Sequence, residues 1–180
     1  MGEHRPLVVN LFAGPGAGKS TTAAQLFSML KTAGIDTEMV REYAKDLVWA
    51  GASDVLRHHQ IFVFAKQLKR FDDLIIGLSG DEVDVIVTDS PLLFSSVYGS
   101  HLPECFHELV RSQFDRMWNL NVKLNRSKDY NPKGRLQTEA EAKALDEKMH
   151  NLGIEYDLVT TGTFLGAAEI FEVVMDRIGK

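Results

Sequence analysis

The chain has little of several things, and each scarcity excludes something. There is one cysteine, Cys105, in 180 residues. A disulfide-stapled extracellular scaffold is therefore excluded, and a reducing, cytoplasmic setting is expected. Cys105 lies in a helical pattern and is expected to be a small core or half-buried residue. No apolar run approaches the ~20 residues that a membrane-crossing helix requires, so no membrane partner is expected. The longest early run, Leu7 to Phe12, is too short for a secretory leader. The start, Met1-Gly2-Glu3-His4-Arg5-Pro6, lacks the Ser or Thr of a myristoylation signal. Internal repeats and low-complexity tracts are absent. His58 and His59 have no Cys or acidic partner at ligand spacing, which argues against a zinc-type centre. The net charge of −5 argues against broad nonspecific nucleic-acid binding while leaving room for a local basic groove.

What is present is concentrated in one stretch, Ala13-Gly14-Pro15-Gly16-Ala17-Gly18-Lys19-Ser20-Thr21. It fits G-x-x-x-x-G-K-[S/T] with Ala13 in place of the first Gly. An apolar strand pattern, Leu7 to Phe12, precedes it, and a helical pattern from Lys19 to Lys31 follows. That order of strand, loop and helix is what a phosphate-binding loop requires. Gly14, Gly16 and Gly18 let the backbone curl around phosphate oxygens. The helix N-terminus adds partial positive charge. Lys19 is expected to reach the β- and γ-phosphates of ATP, and the Ser20 hydroxyl to ligate Mg²⁺. Gly14 to Thr21 together form the expected nucleotide cradle.

Further along, Ile35 to Val40 reads as a second strand, with Arg41-Glu42-Tyr43 at its carboxyl end. Ligands of parallel sheets bind beyond that end. These three are candidates for an acceptor site, although a carboxylate such as Glu42 is also favoured where a helix begins. From Ser53 to Leu78 the pattern predicts one long helix capped by Ser53 or Asp54. Its expected core stripe is Ile61, Phe64, Leu68, Phe71 and Ile75. Gln60 and Gln67 share a face; solvation is the favoured reading, and pairing with a base edge the alternative. Lys66, Lys69 and Arg70 are expected to form a solvated face, with groove lining as the alternative.

Val83 to Thr88 predicts a strand that ends in Asp89, the position of an acid that holds Mg²⁺ with Ser20. The other reading is that Asp89 caps the helix that Pro91 would start. Phe94 and Tyr98 are expected in the core or against a substrate. A helix is predicted over 102–118, with Phe106, Leu109, Val110, Phe114 and Met117 inward, then a strand from Asn121 to Asn125.

The segment from Arg126 to Gln137 carries Arg126, Lys128, Lys133 and Arg135 with Pro132 and Gly134 as punctuation. It precedes a helix from Thr138 to Asn151 that opens with a capping-box pattern. A basic loop here suits a lid that closes over ATP and brings Arg side chains to the transferring phosphoryl group. Arg126 and Arg135 are the candidates, because Arg grips phosphate bidentately; an ordinary solvated loop is the other reading. A fifth strand is expected at 156–160, a turn at Thr161-Gly162-Thr163, and a closing helix from Leu165 to Ile178.

Five apolar strands alternating with helices predict an α/β three-layer sandwich with a parallel sheet, as one domain over 1–180 with a lid at about 126–137. The loop, the strand ending in Asp89 and the late basic segment resemble the small P-loop kinases, which include thymidylate, adenylate and deoxynucleoside kinases. That resemblance implies a five-stranded sheet in the order 2-3-1-4-5. Within the group, the chain is similar to phage-encoded NadR-like, AAA-type kinases. The likeness rests on Gly14 to Thr22, Glu42-Tyr43-Ala44-Lys45-Asp46, Thr88-Asp89-Ser90-Pro91-Leu92 and Tyr130 to Glu139. It implies ATP and Mg²⁺ as cofactors, a nucleoside-type acceptor, and a cytoplasmic location, in the host cell for a phage-encoded chain.

Some kinases of this type phosphorylate 5-hydroxymethyluracil within DNA, which makes that base the leading expected acceptor. A free nucleoside or deoxynucleotide is the runner-up. In this reading Glu42 orients the acceptor hydroxyl and takes its proton, with Asp89 as the rival base. Ser90 and Pro91 stand where thymidylate and deoxynucleoside kinases carry an Arg, which favours a hydroxyl over a monophosphate acceptor. A nucleotide-dependent switch is the alternative from another class, although the sequence has no N-K-x-D guanine-reading motif. The choice between ATP and GTP, and homodimer formation, stay open at this level.

Overall fold

The computed structural model describes residues 5–76, 82–127 and 138–180, without the side chain of His150. Five strands form one sheet: β1 (Leu7–Phe12), β2 (Thr37–Val40), β3 (Val85–Thr88), β4 (Trp118–Asn125) and β5 (Leu158–Thr161). Their spatial order is β2-β3-β1-β4-β5, and every pairing is parallel. This is the predicted architecture and the predicted order. Parallel strands need crossovers, and helices provide them: α1 (Lys19–Thr32), α2 (Tyr43–Trp49), α3 (Ser53–His58), α4 (Gln60–Ile75), α5 (Phe94–Tyr98), α6 (Glu104–Asp115), α7 (Glu139–His150) and α8 (Phe164–Arg177).

Central strand β1 is buried along its whole length, as a strand covered on both faces must be. Its side chains alternate between two cores. Leu7, Val9 and Leu11 pack with Ala23, Leu26 and Leu30 of α1 and Ile170 and Val174 of α8. Val8 and Phe12 face Phe64 and Phe71 of α4 and Phe106, Val110 and Phe114 of α6. Phe12 is the hub of the second core: it meets Phe94, Phe114 and Tyr156 edge-on at 5.7, 6.4 and 5.6 Å.

Register brings the three functional strand ends together. Thr88 pairs with both Val40 and Asn10, so Glu42, Asp89 and the loop after Phe12 leave the sheet at the same edge. Thr88 then ties two of these exits. Its hydroxyl donates to the Val40 carbonyl at 2.9 Å and accepts the Ser90 N–H at 3.0 Å.

Several expectations need correction. The predicted helix from Ser53 to Leu78 is two helices, separated at His59, whose φ and ψ of −129° and 49° are not helical. Neither Gly nor Pro marks that break, and the apolar spacing runs through it. No side chain caps α3; its N-cap is Ala52. Of the predicted α4 stripe, Phe64 and Phe71 are buried and Leu68 and Ile75 pack half-buried against the same core, but Ile61 is 59% exposed, and Gln60, Val63 and Gln67 are buried as well. Helix α2 had been foreseen only as a start at Glu42. On α6, Leu109 faces outward and Cys105 is exposed. The capping box of α7 is present as predicted, with Thr138 and Glu141 exchanging bonds to each other's backbone. Among the described residues, no helix is long and apolar enough to cross a membrane.

Candidate active site

The loop between β1 and α1 turns through two glycines with positive φ, Gly16 at 84° and Gly18 at 100°. A side chain at either position would be strained. Gly18 is also the N-cap of α1 and has no side chain to offer, which leaves the helix's first N–H groups available to an anion. Gly14 is different. Its φ is not positive, but an added Cβ would lie 2.6 Å from the Asp146 carboxylate and 2.7 Å from the Ala142 carbonyl. Glycine is required there because α7 presses on the loop. On the far side, Gly162 rests against the loop: a Cβ at Gly162 would sit 2.1 Å from the Ala17 carbonyl oxygen. The Thr161–Thr163 turn thus contacts the phosphate loop itself.

Lys19 stands at the centre. Its ammonium donates to the carbonyls of Ala13 at 2.6 Å and Gly14 at 2.9 Å, and lies 5.6 Å above the Phe94 ring. Burial lowers its pKa; the charges of Glu42, Asp89 and Asp146 oppose that shift. The Ser20 hydroxyl donates to Asp89 Oδ2 at 2.5 Å. Asp89 Oδ1 is buried without a hydrogen-bond partner among the described residues. A hydroxyl and a carboxylate with a spare buried oxygen are the hard donors that Mg²⁺ takes, so these two residues fit that ion. The reading of Asp89 as a cap is not what the structure shows: α5 begins five residues later, with Leu93 as its N-cap.

Lys19, Ser20, Glu42 and Asp89 open into one cavity of about 440 Å³ that runs on to Gln60, Tyr98 and Trp49. Desolvation raises the pKa of Glu42; Lys19 pulls it down, and Asp89 adds to the rise. Among the described residues, the Glu42 carboxylate makes no hydrogen bond. Burial, followed by the charge of Glu42, pushes the Tyr98 phenol well above its usual range.

What fixes Glu42 was not legible in advance. The loop carrying it is laced to α4. Gln67 accepts the Tyr43 N–H at 2.9 Å and donates to the Arg41 carbonyl at 3.4 Å. Arg70 donates to the same carbonyl at 2.9 Å, pairs with Asp46 at 2.5 Å, and lies 5.1 Å over the Tyr43 ring. The favoured reading of Gln60 and Gln67 as solvated is therefore wrong. They are 8% and 5% exposed, and Gln60 bonds the Leu56 carbonyl across the break before α4. Arg70 also departs from its expected solvated role, whereas Lys69 keeps it in an exposed i,i+4 pair with Asp73. The Arg41 side chain is exposed and contributes its backbone.

Arg126 follows β4 directly and reaches the phosphate loop, but not as an isolated cation. Its Nη2 donates to Asp146 at 2.6 Å and to the Pro15 carbonyl at 3.0 Å. Its Nη1 is buried with no hydrogen-bond partner among the described residues. Asp146 also accepts the Gly14 N–H. Sequence reasoning missed Asp146, which looks like one more acid on a polar helix. Arg135 and most of the expected lid lie outside the described residues.

Comparison with known proteins agrees with this architecture. A family model described as AAA domain matches residues 8–161. A deoxyadenosine kinase from M. mycoides, solved with bound dATP, superposes with a TM-score of 0.52 at 12% identity, covering 96% of this chain and 99% of that one. The crystal structure of APE1195 superposes at 0.50 with 22% identity, covering 96% of both. At such identities the two structures show the fold alone. Comparison with curated proteins finds no match.

Proposed function

The chain belongs to the AAA domain family, and from that premise we propose that it is an ATP-dependent phosphotransferase acting on a hydroxyl of a nucleoside-type acceptor. One observation carries the reading. The phosphate loop's Lys19 and Ser20, the acid Asp89 and the lone carboxylate Glu42 line a single cavity rather than two. A switch that only binds nucleotide has no need of a further half-buried carboxylate, Glu42, in the same cavity as its phosphate site. At about 440 Å³ the cavity as a whole, phosphate end included, lies within the range of small-ligand sites.

In this reading the N–H groups of the loop and Lys19 hold the β- and γ-phosphates. Ser20 and Asp89 hold Mg²⁺, which neutralises charge on those phosphates when bound. The acceptor hydroxyl lies against Glu42, on the side of the γ-phosphate away from ADP. Its oxygen forms the new P–O bond as the bond to the β-phosphate oxygen breaks, and its proton passes to Glu42. A carboxylate with a raised pKa is the better proton acceptor. Asp89, engaged with Ser20, is the weaker candidate for that role. Arg126, paired with Asp146 and bonded to the Pro15 carbonyl, supports the phosphate loop and does not line the cavity. Arg135, from the basic segment, has the proposed role of supporting charge on the transferring group.

Apolar and aromatic walls from Val48, Trp49, Val63 and Phe94 suit a base or sugar face. These walls favour a free nucleoside as the acceptor, with 5-hydroxymethyluracil in DNA as the competing acceptor. The test is transfer of γ-labelled phosphate from Mg·ATP to free nucleosides, nucleoside monophosphates, 5-hydroxymethyldeoxyuridine, and DNA with and without 5-hydroxymethyluracil. Lys19→Ala serves as the inactive control. Label in a free nucleoside supports the proposal, and label only in the modified DNA moves the acceptor to the polymer. ATP binding with no labelled acceptor overturns the kinase reading in favour of a switch.

A further inference from the structure

We infer that Asp146 is a positioning residue for the nucleotide site, acting as a clamp on the first turn of the phosphate loop. The argument concerns the nucleotide half of the cavity and does not depend on which acceptor is used.

Both backbone groups at the start of that turn are captured by one ion pair. The Gly14 N–H donates to Asp146 Oδ1. The Pro15 carbonyl accepts from Arg126 Nη2 at 3.0 Å. The two side chains are joined through Asp146 Oδ2, which accepts Arg126 Nη2 at 2.6 Å and Nε at 3.1 Å. Three elements meet here: the loop after β1, the end of β4, and α7. Both charged side chains are only 17% exposed, so this is not a surface pair screened to little effect. A carboxylate so close to a phosphate site would repel the ligand if it were alone. Paired with Arg126 it is neutralised, and its remaining oxygen is committed to the Gly14 N–H. The loop is thereby held in its binding form before nucleotide arrives, which removes an ordering cost from binding.

The same geometry explains why Gly14 must be glycine: α7 approaches so closely that a Cβ would meet Asp146 and the Ala142 carbonyl. Asp146 and Arg126 bond Gly14 and Pro15 of the phosphate loop and do not line the cavity themselves, so the clamp should act through the loop on ATP and not on the acceptor.

The test is calorimetric titration of Mg·ATP into the full chain carrying Asp146→Asn, Asp146→Ala or Gly14→Ala, with the melting temperature of each recorded. Titrations are made below the lowest melting point. Asp146→Ala is expected to weaken Mg·ATP about tenfold or more, the scale of one lost charge-assisted hydrogen bond. Asp146→Asn keeps an acceptor for Gly14 N–H but cannot hold Arg126 as well, and should lose about threefold. Gly14→Ala, whose added carbon would collide with the Asp146 carboxylate and the Ala142 carbonyl, should match the larger loss. In turnover assays, KM for Mg·ATP should rise while KM for the acceptor stays within about twofold. A pair that serves the fold alone would lower the melting temperature and leave the affinity of the folded protein unchanged, and that result overturns the inference. If the wild type labels no acceptor, the kinase reading falls, but the titrations still decide the role of Asp146.

Discussion

Gly162→Ala is the sharpest perturbation of the phosphate loop, because it displaces that loop while changing none of its residues. A Cβ at Gly162 would lie 2.1 Å from the Ala17 carbonyl oxygen, 3.2 Å from the Ala17 carbonyl carbon and 3.2 Å from Gly18 Cα. All three are backbone atoms, so no rotamer change relieves the clash. The loop and the Thr161–Thr163 turn must separate by roughly 1 Å, the shortfall of an overpacked contact that ordinarily costs about 1–3 kcal/mol. A displacement of that size at a reacting phosphate is worth about 10²-fold in rate. The matched control is Gly153→Ala. Gly153 has φ +65° and nothing within 4 Å of the added carbon, so alanine there costs about 1–2 kcal/mol of left-handed strain and no displacement. Both variants should melt a few degrees lower. Only Gly162→Ala should also lose Mg·ATP affinity, by about tenfold or more, and turnover by about a hundredfold. Titration and initial-rate assays on both proteins decide it. Wild-type affinity in Gly162→Ala would refute the argument that this turn sets the loop's position.

Two further outcomes follow from the same contacts. Gln67→Leu leaves the Tyr43 N–H and a share of the Arg41 carbonyl unserved, which should cost about 1–3 kcal/mol in stability and raise KM for the acceptor more than KM for ATP; equal changes in the two would contradict the role given to Gln67. The raised pKa of Glu42 gives a signed pH dependence. Stability from this group is fully present below the ordinary glutamate value of 4.5 and is lost as pH rises through the raised folded value. Glu42→Gln should therefore melt higher than wild type at neutral and alkaline pH, with the gap closing in acid. Transfer by the wild type should fall as pH drops through that same raised value, and a flat acid limb would contradict the assignment of Glu42 as base.

Much of this was legible in the chain itself, for physical reasons. The phosphate loop is local: glycine spacing, Lys19 and Ser20 lie within one turn of strand and helix, so sequence order is spatial order. Asp89 was legible because a buried strand can end in an acid only where something rewards it. The sheet order came with the resemblance to the small P-loop kinases. What stayed hidden is long-range. The roles of Gln67 and Arg70 depend on α4 crossing the loop after β2. Asp146 is invisible because a carboxylate on a solvated helix and one clamped to Gly14 have the same local sequence. Gly162 reads as an ordinary turn glycine until the Ala17 carbonyl is found against it.

The central claim is that one cavity joins a phosphate-transfer site to an acceptor site through Glu42. Glu42→Gln tests it most directly, by measuring Mg·ATP affinity and acceptor phosphorylation on the same preparation. The account predicts affinity within about threefold of wild type and transfer lower by about 10²–10⁴-fold, the range for loss of a positioned base. Undiminished phosphorylation by Glu42→Gln would contradict it.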